Sequence, residues 1–208
     1  MTRVMVVDDH AVVRAGVVRL LQEHGMTVVA EASTPEELVS LAHTVDYDVL
    51  ILDVNLRGNT SLEALKTVRA AHSERQVLIL SMYAEEQYAL RYLKAGAAGY
   101  LTKDTVPEEL ILAVRRLASG GRYLTSTVAE IALFGFGETG ASTHETLSDR
   151  ELEVLIGIAR GKRIRAIATE LCLSDKTVST YRARILRKLG AGNNADLVEY
   201  ALSQNLIT

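Results

Sequence analysis

The sequence predicts an α/β chain: a (βα)5 doubly wound parallel-sheet domain followed by a smaller all-α domain of four helices. Two patterns carry this expectation. Over residues 1–120, short apolar segments rich in β-branched residues alternate with amphipathic ones, as in a parallel sheet covered by helices on both faces. Beyond Thr146 no strand pattern recurs and only helical periodicity remains. Between the two, Gly135, Gly137, Gly140 and Ser142 punctuate a polar run. The expected division is therefore 1–120 for the first domain, 121–145 for a linker and 146–208 for the second.

The predicted strands are Arg3 to Val7, Thr27 to Ala32, Asp48 to Leu52, Gln76 to Leu80 and Gly99 to Leu101. Helical patterns fill the gaps at Ala11 to His24, Pro35 to Thr44, Ser61 to His72, Glu85 to Ala95 and Pro107 to Ser119. Thr34 before Pro35 is a start signal, a capping hydroxyl followed by proline at the first helical position, and Val106 before Pro107 opens the last helix in a related way. The linker holds a possible short helix at Ser126 to Phe134. The second domain reads as helices near Ser148 to Arg160, Ile164 to Leu171, Asp175 to Leu189 and Asn194 to Gln204.

Composition narrows the function classes. The longest apolar stretches, such as Val4 to Val7 and Val49 to Leu52, fall far short of the roughly 20 residues that a membrane helix needs. Asp8 and Asp9 interrupt the N-terminal apolar run, so no secretory signal is read and cytoplasmic residence is expected. Cys172 is the single cysteine, which rules out an intrachain disulfide and makes a core position its simplest reading. The net charge of −3 is unevenly spread. Residues 1–120 carry 12 basic and 16 acidic groups, whereas residues 162–188 carry 8 basic and 2 acidic. Such a local excess in an acidic chain is the footprint of a polyanion-binding element, with a solvated helical face as the plainer alternative.

Asp8 and Asp9 end the first predicted strand and Asp53 ends the third, so all three project from the carboxyl edge of the sheet, where doubly wound folds bind ligands. Carboxylates crowded there repel one another unless a cation intervenes, and a hard divalent ion such as Mg²⁺ suits that donor set. Ser81 ends the fourth strand and Lys103 follows the fifth. A carboxylate nucleophile, a metal, a hydroxyl and an ammonium form a phosphoryl-transfer site.

Val6-Val7-Asp8-Asp9-His10, Leu52-Asp53-Val54-Asn55, Leu80-Ser81 and Gly99-Tyr100-Leu101-Thr102-Lys103 together resemble the receiver domain of two-component response regulators, over about residues 1–120. The resemblance implies that Asp53 takes phosphate from the phosphohistidine of a sensor histidine kinase. It implies Mg²⁺ ligation by Asp9, Asp53 and the backbone carbonyl of Asn55, with Asp8 acting through water. Ser81 and Lys103 would contact the phosphoryl oxygens, and Tyr100 would be the aromatic that changes rotamer as Ser81 moves. Three departures surround the acceptor: Leu56-Arg57-Gly58 where Met-Pro-Gly is common, Asp104 after Lys103 where Pro is common, and Met82 after Ser81 where a small residue is common. With Tyr83, they leave the lifetime of a phosphorylated state open.

In the second domain, two helical patterns are separated only by Cys172, Leu173 and Ser174, short enough for a helix-turn-helix, and Ser174 is a natural cap for the second. At about 100° per residue, Val178, Ile185 and Leu189 form a buried stripe, while Ser179, Thr180, Ala183, Arg184 and Arg187 lie opposite. Arg182 lies beside the stripe. Small residues that allow close approach to bases, with arginines to meet phosphates, suit a major groove. The run from Leu147-Ser148-Asp149-Arg150-Glu151 through Lys176-Thr177-Val178 to Ile185-Leu186-Arg187-Lys188-Leu189 resembles the LuxR-type DNA-binding domain. Joined to a receiver, it resembles the NarL/FixJ family across essentially the whole chain. That implies base-facing Ser179, Thr180 and Ala183, with Lys176, Thr177, Tyr181, Arg184 and Lys188 toward the backbone. Lys162-Arg163-Ile164 and Tyr181 depart from the usual residues and leave the preferred sequence open. Leu197, Val198, Ala201 and Leu202 on the last helix offer either a homodimer surface or packing within the domain.

The expected function is a phosphorylation-switched transcription regulator, not an enzyme. Two alternatives are a phosphorylation-independent DNA-binding regulator with a scaffold receiver and an aspartyl-phosphate phosphohydrolase. The latter expects Asp-x-Asp at the first strand, where this chain has adjacent Asp8-Asp9.

Overall fold

The computed structural model describes all residues except 57–58, 83–84, 136–146, 172, 205 and 208, so expectations for Arg57, Tyr83, Cys172 and most of the glycine-rich linker lie outside it. The chain divides into two compact units, Met1–Phe136 and Gly137–Thr208.

The first unit holds strands β1 (Arg3–Val7), β2 (Thr27–Ala32), β3 (Val49–Asp53), β4 (Asn55–Leu56), β5 (Asn59–Thr60), β6 (Gln76–Ser81) and β7 (Gly99–Thr102). Its helices are α1 (Ala11–Glu23), α2 (Pro35–Thr44), α3 (Leu62–Ala71), α4 (Glu85–Lys94), α5 (Pro107–Ala118) and α6 (Ser126–Gly135). Five strands form one sheet in the order β2-β1-β3-β6-β7, with every pair parallel. Val4 to Val7 and all of β3 are buried, as a sheet covered on both faces requires, so these strands read as continuous apolar runs. Thr34 caps α2 by accepting a hydrogen bond from the Glu37 amide at 3.1 Å. Val106 has no oxygen to offer and makes no side-chain cap, so the start of α5 rests on Pro107 alone.

Two features depart from the expectation. β4 and β5 form a two-residue antiparallel ribbon just after Asp53, too short for alternation to register in sequence. The residues expected to begin the linker belong to the first unit. Tyr123 forms a parallel bridge with Gly99 at the sheet edge, donates its amide to the Ala98 carbonyl at 3.0 Å and donates its hydroxyl to Glu109 at 2.9 Å. A Cβ on Gly99 would stand 2.7 Å from the Tyr123 carbonyl oxygen and 2.9 Å from Leu78, so this close approach needs glycine. Beyond it, α6 packs against α4.

The second unit comprises α7 (Asp149–Ala159), α8 (Ile164–Glu170), α9 (Asp175–Leu189) and α10 (Asn194–Ser203). Ser148 and Glu151 close a capping box at the start of α7, and Asn193 with Asp196 closes another on α10. Ser174 accepts the Thr177 amide at 3.1 Å to start α9, which ends on Gly190 at φ +66°. Helix α7 packs on α8, α9 and α10, and Val154, Leu155, Ile167, Val178, Ile185, Leu197 and Ala201 are buried.

Candidate functional site

The parallel register assembles the acidic site. Val7 lies level with Leu52, so Asp8 and Asp53 leave adjacent strands side by side at the point where the strand order reverses. Asp53 lies level with Leu80, and Ser81 level with Thr102, which sets Ser81 and then Lys103 along the same edge.

The Lys103 ammonium stands 2.7 Å from Asp8 Oδ2 and 2.7 Å from Asp53 Oδ2. All three side chains are at most 5% exposed. Two buried carboxylates thus share one buried cation, and Asp9, only partly exposed, adds a third negative group. Burial pushes the Asp53 carboxyl up, the Lys103 charge pulls it down and the Asp8 charge pushes it up again, with a backbone hydrogen bond from Asn55 lowering it; the outcome is about 6. The carboxyl therefore ionises near neutrality and lies close to the cation.

His10, not singled out in the sequence, also belongs here. Its Nδ1 lies 2.8 Å from Asp9 Oδ1 and 3.9 Å from Asp53 Oδ2. Donor atoms of Asp8, Asp9, His10 and Asp53 all lie within 4.8 Å of one another. Its place directly after Asp9, at the first position before α1, was the available signal.

Ser81 and Tyr100 are fully buried on β6 and β7. Asn55 lies on β4 directly after the acceptor strand. Met82, next in sequence to Ser81, is 66% exposed, and Leu56 is fully buried.

On α9, Lys176, Ser179, Thr180, Ala183, Arg184 and Arg187 are exposed, while Val178 and Ile185 face the core. Thr177 and Tyr181 are half-buried at the edge of that face, and the Arg184 guanidinium lies 5.9 Å from the Tyr181 ring centroid. Leu189, expected on the buried stripe, is only half-buried. The Lys188 ammonium, expected toward a DNA backbone, pairs with the buried Glu151 carboxylate at 2.6 Å while its side chain stays 38% exposed. Burial alone would raise the Glu151 carboxyl, but the Lys188 ammonium and the Ser148 amide outweigh it and hold it below the usual carboxylate range. That pair joins α9 to α7 across 37 residues, a distance over which helical periodicity carries no information. Arg182 reaches Asn194 at 2.6 Å and so fastens α9 to the start of α10. The α10 stripe divides: Leu197 and Ala201 are fully buried within the unit, Val198 is half-buried, and Leu202 is 50% exposed.

Residues 4–115 match the response regulator receiver domain, and residues 145–201 match the bacterial regulatory proteins of the luxR family. The chain is 35% identical over its whole length to the response regulator GacA of Pseudomonas aeruginosa, covering 98% of it. It is equally similar to the response regulator UvrY of Escherichia coli, over 99% of this chain and 96% of that one. Among solved structures, a LuxR-family two-component response regulator from an Aurantimonas species matches 66% of this chain and all of its own, at 34% identity and TM-score 0.61. Salmonella RcsB, solved on the rprA promoter with a phosphomimetic, matches 98% of this chain and 100% of its own, at 26% identity and TM-score 0.61. No helix among the described residues is long and apolar enough to cross a membrane. The chain belongs to the two-component response regulators of the NarL/FixJ family, which join a receiver domain to a LuxR-type helix-turn-helix to regulate transcription.

Proposed function

We propose that Asp53 accepts a phosphoryl group from the phosphohistidine of a sensor kinase and that the modified protein binds promoter DNA through α9. The observation that carries this reading is the Lys103 ammonium held 2.7 Å from the carboxylates of both Asp53 and Asp8 in a buried site. In the transfer, a bond forms between an Asp53 oxygen and phosphorus as the phosphorus–nitrogen bond of the donor breaks, and the imidazole leaves. The ammonium keeps the Asp53 carboxylate ionised for attack and then faces the phosphoryl oxygens. Ser81, buried at the end of the neighbouring strand, would donate to another of those oxygens.

The donor set fits Mg²⁺, because three crowded carboxylates against one ammonium leave excess negative charge and offer hard oxygen ligands. Asp8, Asp9, Asp53 and the Asn55 carbonyl would hold it, and when bound it offsets charge on the transferring group.

Tyr100 on β7 follows Ser81, and α4, which precedes β7, carries α6 on its surface. A shift of α4 on phosphorylation therefore reaches the segment that leads to the second unit. There, exposed Ser179, Thr180 and Ala183 enter the major groove while Lys176, Arg184 and Arg187, with Thr177 and Tyr181 at the edge, meet phosphates. Val198 and Leu202 on α10 are the apolar residues left over for pairing two copies on a two-half-site operator.

The test is Mg²⁺-dependent labelling by a small phosphodonor such as phosphoramidate. Wild type is expected to label and Asp53→Ala is not. Equal labelling of the two would remove Asp53 from the reading.

A further inference from the structure

His10 enters the acidic pocket although nothing compels it to. It occupies the position before α1 with extended backbone, makes no side-chain cap, and its side chain is 59% exposed. Its own amide donates to Asp8 Oδ1 at 2.8 Å, which fixes the backbone beside the carboxylates. The ring then turns inward, with Nδ1 2.8 Å from Asp9, 3.4 Å from Asp8 and 3.9 Å from Asp53. Without a metal, an Nδ1 this close to a carboxylate oxygen carries a proton; a cation entering the pocket would take the place of that proton on Nδ1, with the other ring nitrogen keeping its own.

Donors on a single divalent ion sit roughly 3 Å apart when adjacent and roughly 4 Å apart when opposite, as follows from bonds of about 2.1 Å. The four donors here, all within 4.8 Å of one another, lie close to that spacing. Three carboxylate oxygens and one imidazole nitrogen are a mixed set. Mg²⁺ favours oxygen and keeps its waters, whereas Mn²⁺, Co²⁺ and Zn²⁺ accept imidazole and bind more tightly through it.

We propose that His10 Nδ1 is an additional protein ligand for divalent transition-metal ions in the acidic pocket, beside the carboxylates and the Asn55 carbonyl, so that Mn²⁺, Co²⁺ and Zn²⁺ compete with Mg²⁺ for the phosphoacceptor site. This rests on the reading of that pocket as a divalent-cation site. It makes the switch responsive to which metal is available, through a residue that contributes little to Mg²⁺ itself.

The experiment uses the full chain and its His10→Ala and His10→Gln variants. Co²⁺ and Mg²⁺ affinities are measured by calorimetry, and nitrogen coupling to bound Mn²⁺ by pulsed electron paramagnetic resonance. Wild type is expected to hold Co²⁺ at least about tenfold more tightly than Mg²⁺. Either variant is expected to lose about tenfold in Co²⁺ affinity and less than about twofold in Mg²⁺ affinity, together with the nitrogen coupling. Absence of nitrogen coupling in wild type, or an equal loss for both metals in the variants, overturns the proposal. If Mg²⁺ still binds and Asp53 still labels, that failure belongs to His10 alone. If wild type binds neither metal, the pocket is not a divalent site and the reading beneath the proposal falls with it.

Discussion

The two units hold their charged chemistry in opposite ways. In the receiver, Asp8, Asp53 and Lys103 are buried together at the sheet edge, whereas on α9 Lys176, Arg184 and Arg187 face solvent. Buried charges interact strongly, depend on each other for stability and titrate away from their usual values. Exposed ones are screened, cost little and act by displacing counterions from a polyanion. The receiver site is therefore suited to switching, and α9 to holding a charged partner.

The sharpest way to break this contrast is Lys103→Met. With the ammonium gone, Asp8 and Asp53 are left buried against each other, and the loss of a partner from a buried pair costs about 3–5 kcal/mol. Urea unfolding of the first unit is expected to report a loss of that order without metal, partly restored by Mg²⁺. A loss of a few tenths of a kcal/mol would mean that the site is more solvated than its burial indicates.

The pH dependence comes next. The Asp53 carboxyl sits at about 6 in the folded chain, above its ordinary 3.8. The unfolded chain thus releases this proton first, so its contribution to stability is fully present below about pH 4 and is lost as the pH rises through 6. Mg²⁺ is accordingly expected to raise the thermal midpoint more at pH 7 than at pH 5, and Asp53→Asn to flatten the difference. An Asp53→Asn protein with the wild-type profile would assign the titration elsewhere.

Smaller effects belong to the second unit. Ser174→Ala removes the hydroxyl that caps α9 and is expected to cost about 1 kcal/mol in thermal or urea unfolding of that unit. Arg184→Ala and Arg187→Ala leave stability nearly unchanged. Each is expected to weaken binding evenly across DNA sequences and to lower the slope of log affinity against log salt by about 1. A sequence-selective loss would move that arginine from the phosphates to a base edge.

Much of this contrast was legible in the sequence because it depends on local pattern. Apolar β-branched runs ending in Asp8, Asp53, Ser81 and before Lys103 define the sheet edge, and a parallel sheet has no choice but to gather such ends. Helical periodicity likewise predicted that Val178 and Ile185 point inward and Ser179, Ala183 and Arg184 outward. What stayed hidden depends on contacts between distant residues. The pairing of Lys188 with Glu151 ties a basic residue of α9 to α7, and no periodicity reports a partner 37 positions away. The return of Tyr123 to Gly99 moved residues from the expected linker into the first unit. The division of the α10 stripe into buried Leu197 and Ala201 and exposed Leu202 follows from where α7 lies, not from the stripe itself.

The claim that joins the two units is that the buried charge governs the exposed one. Its most direct measurement is the affinity of the full chain for a duplex selected from a random pool, with and without phosphodonor and Mg²⁺, in wild type and in Asp53→Ala. The phosphodonor is expected to tighten binding at least about tenfold in wild type, about 1.4 kcal/mol, and not at all in the variant. Identical affinities for both proteins under both conditions would contradict it and leave α9 working independently of Asp53.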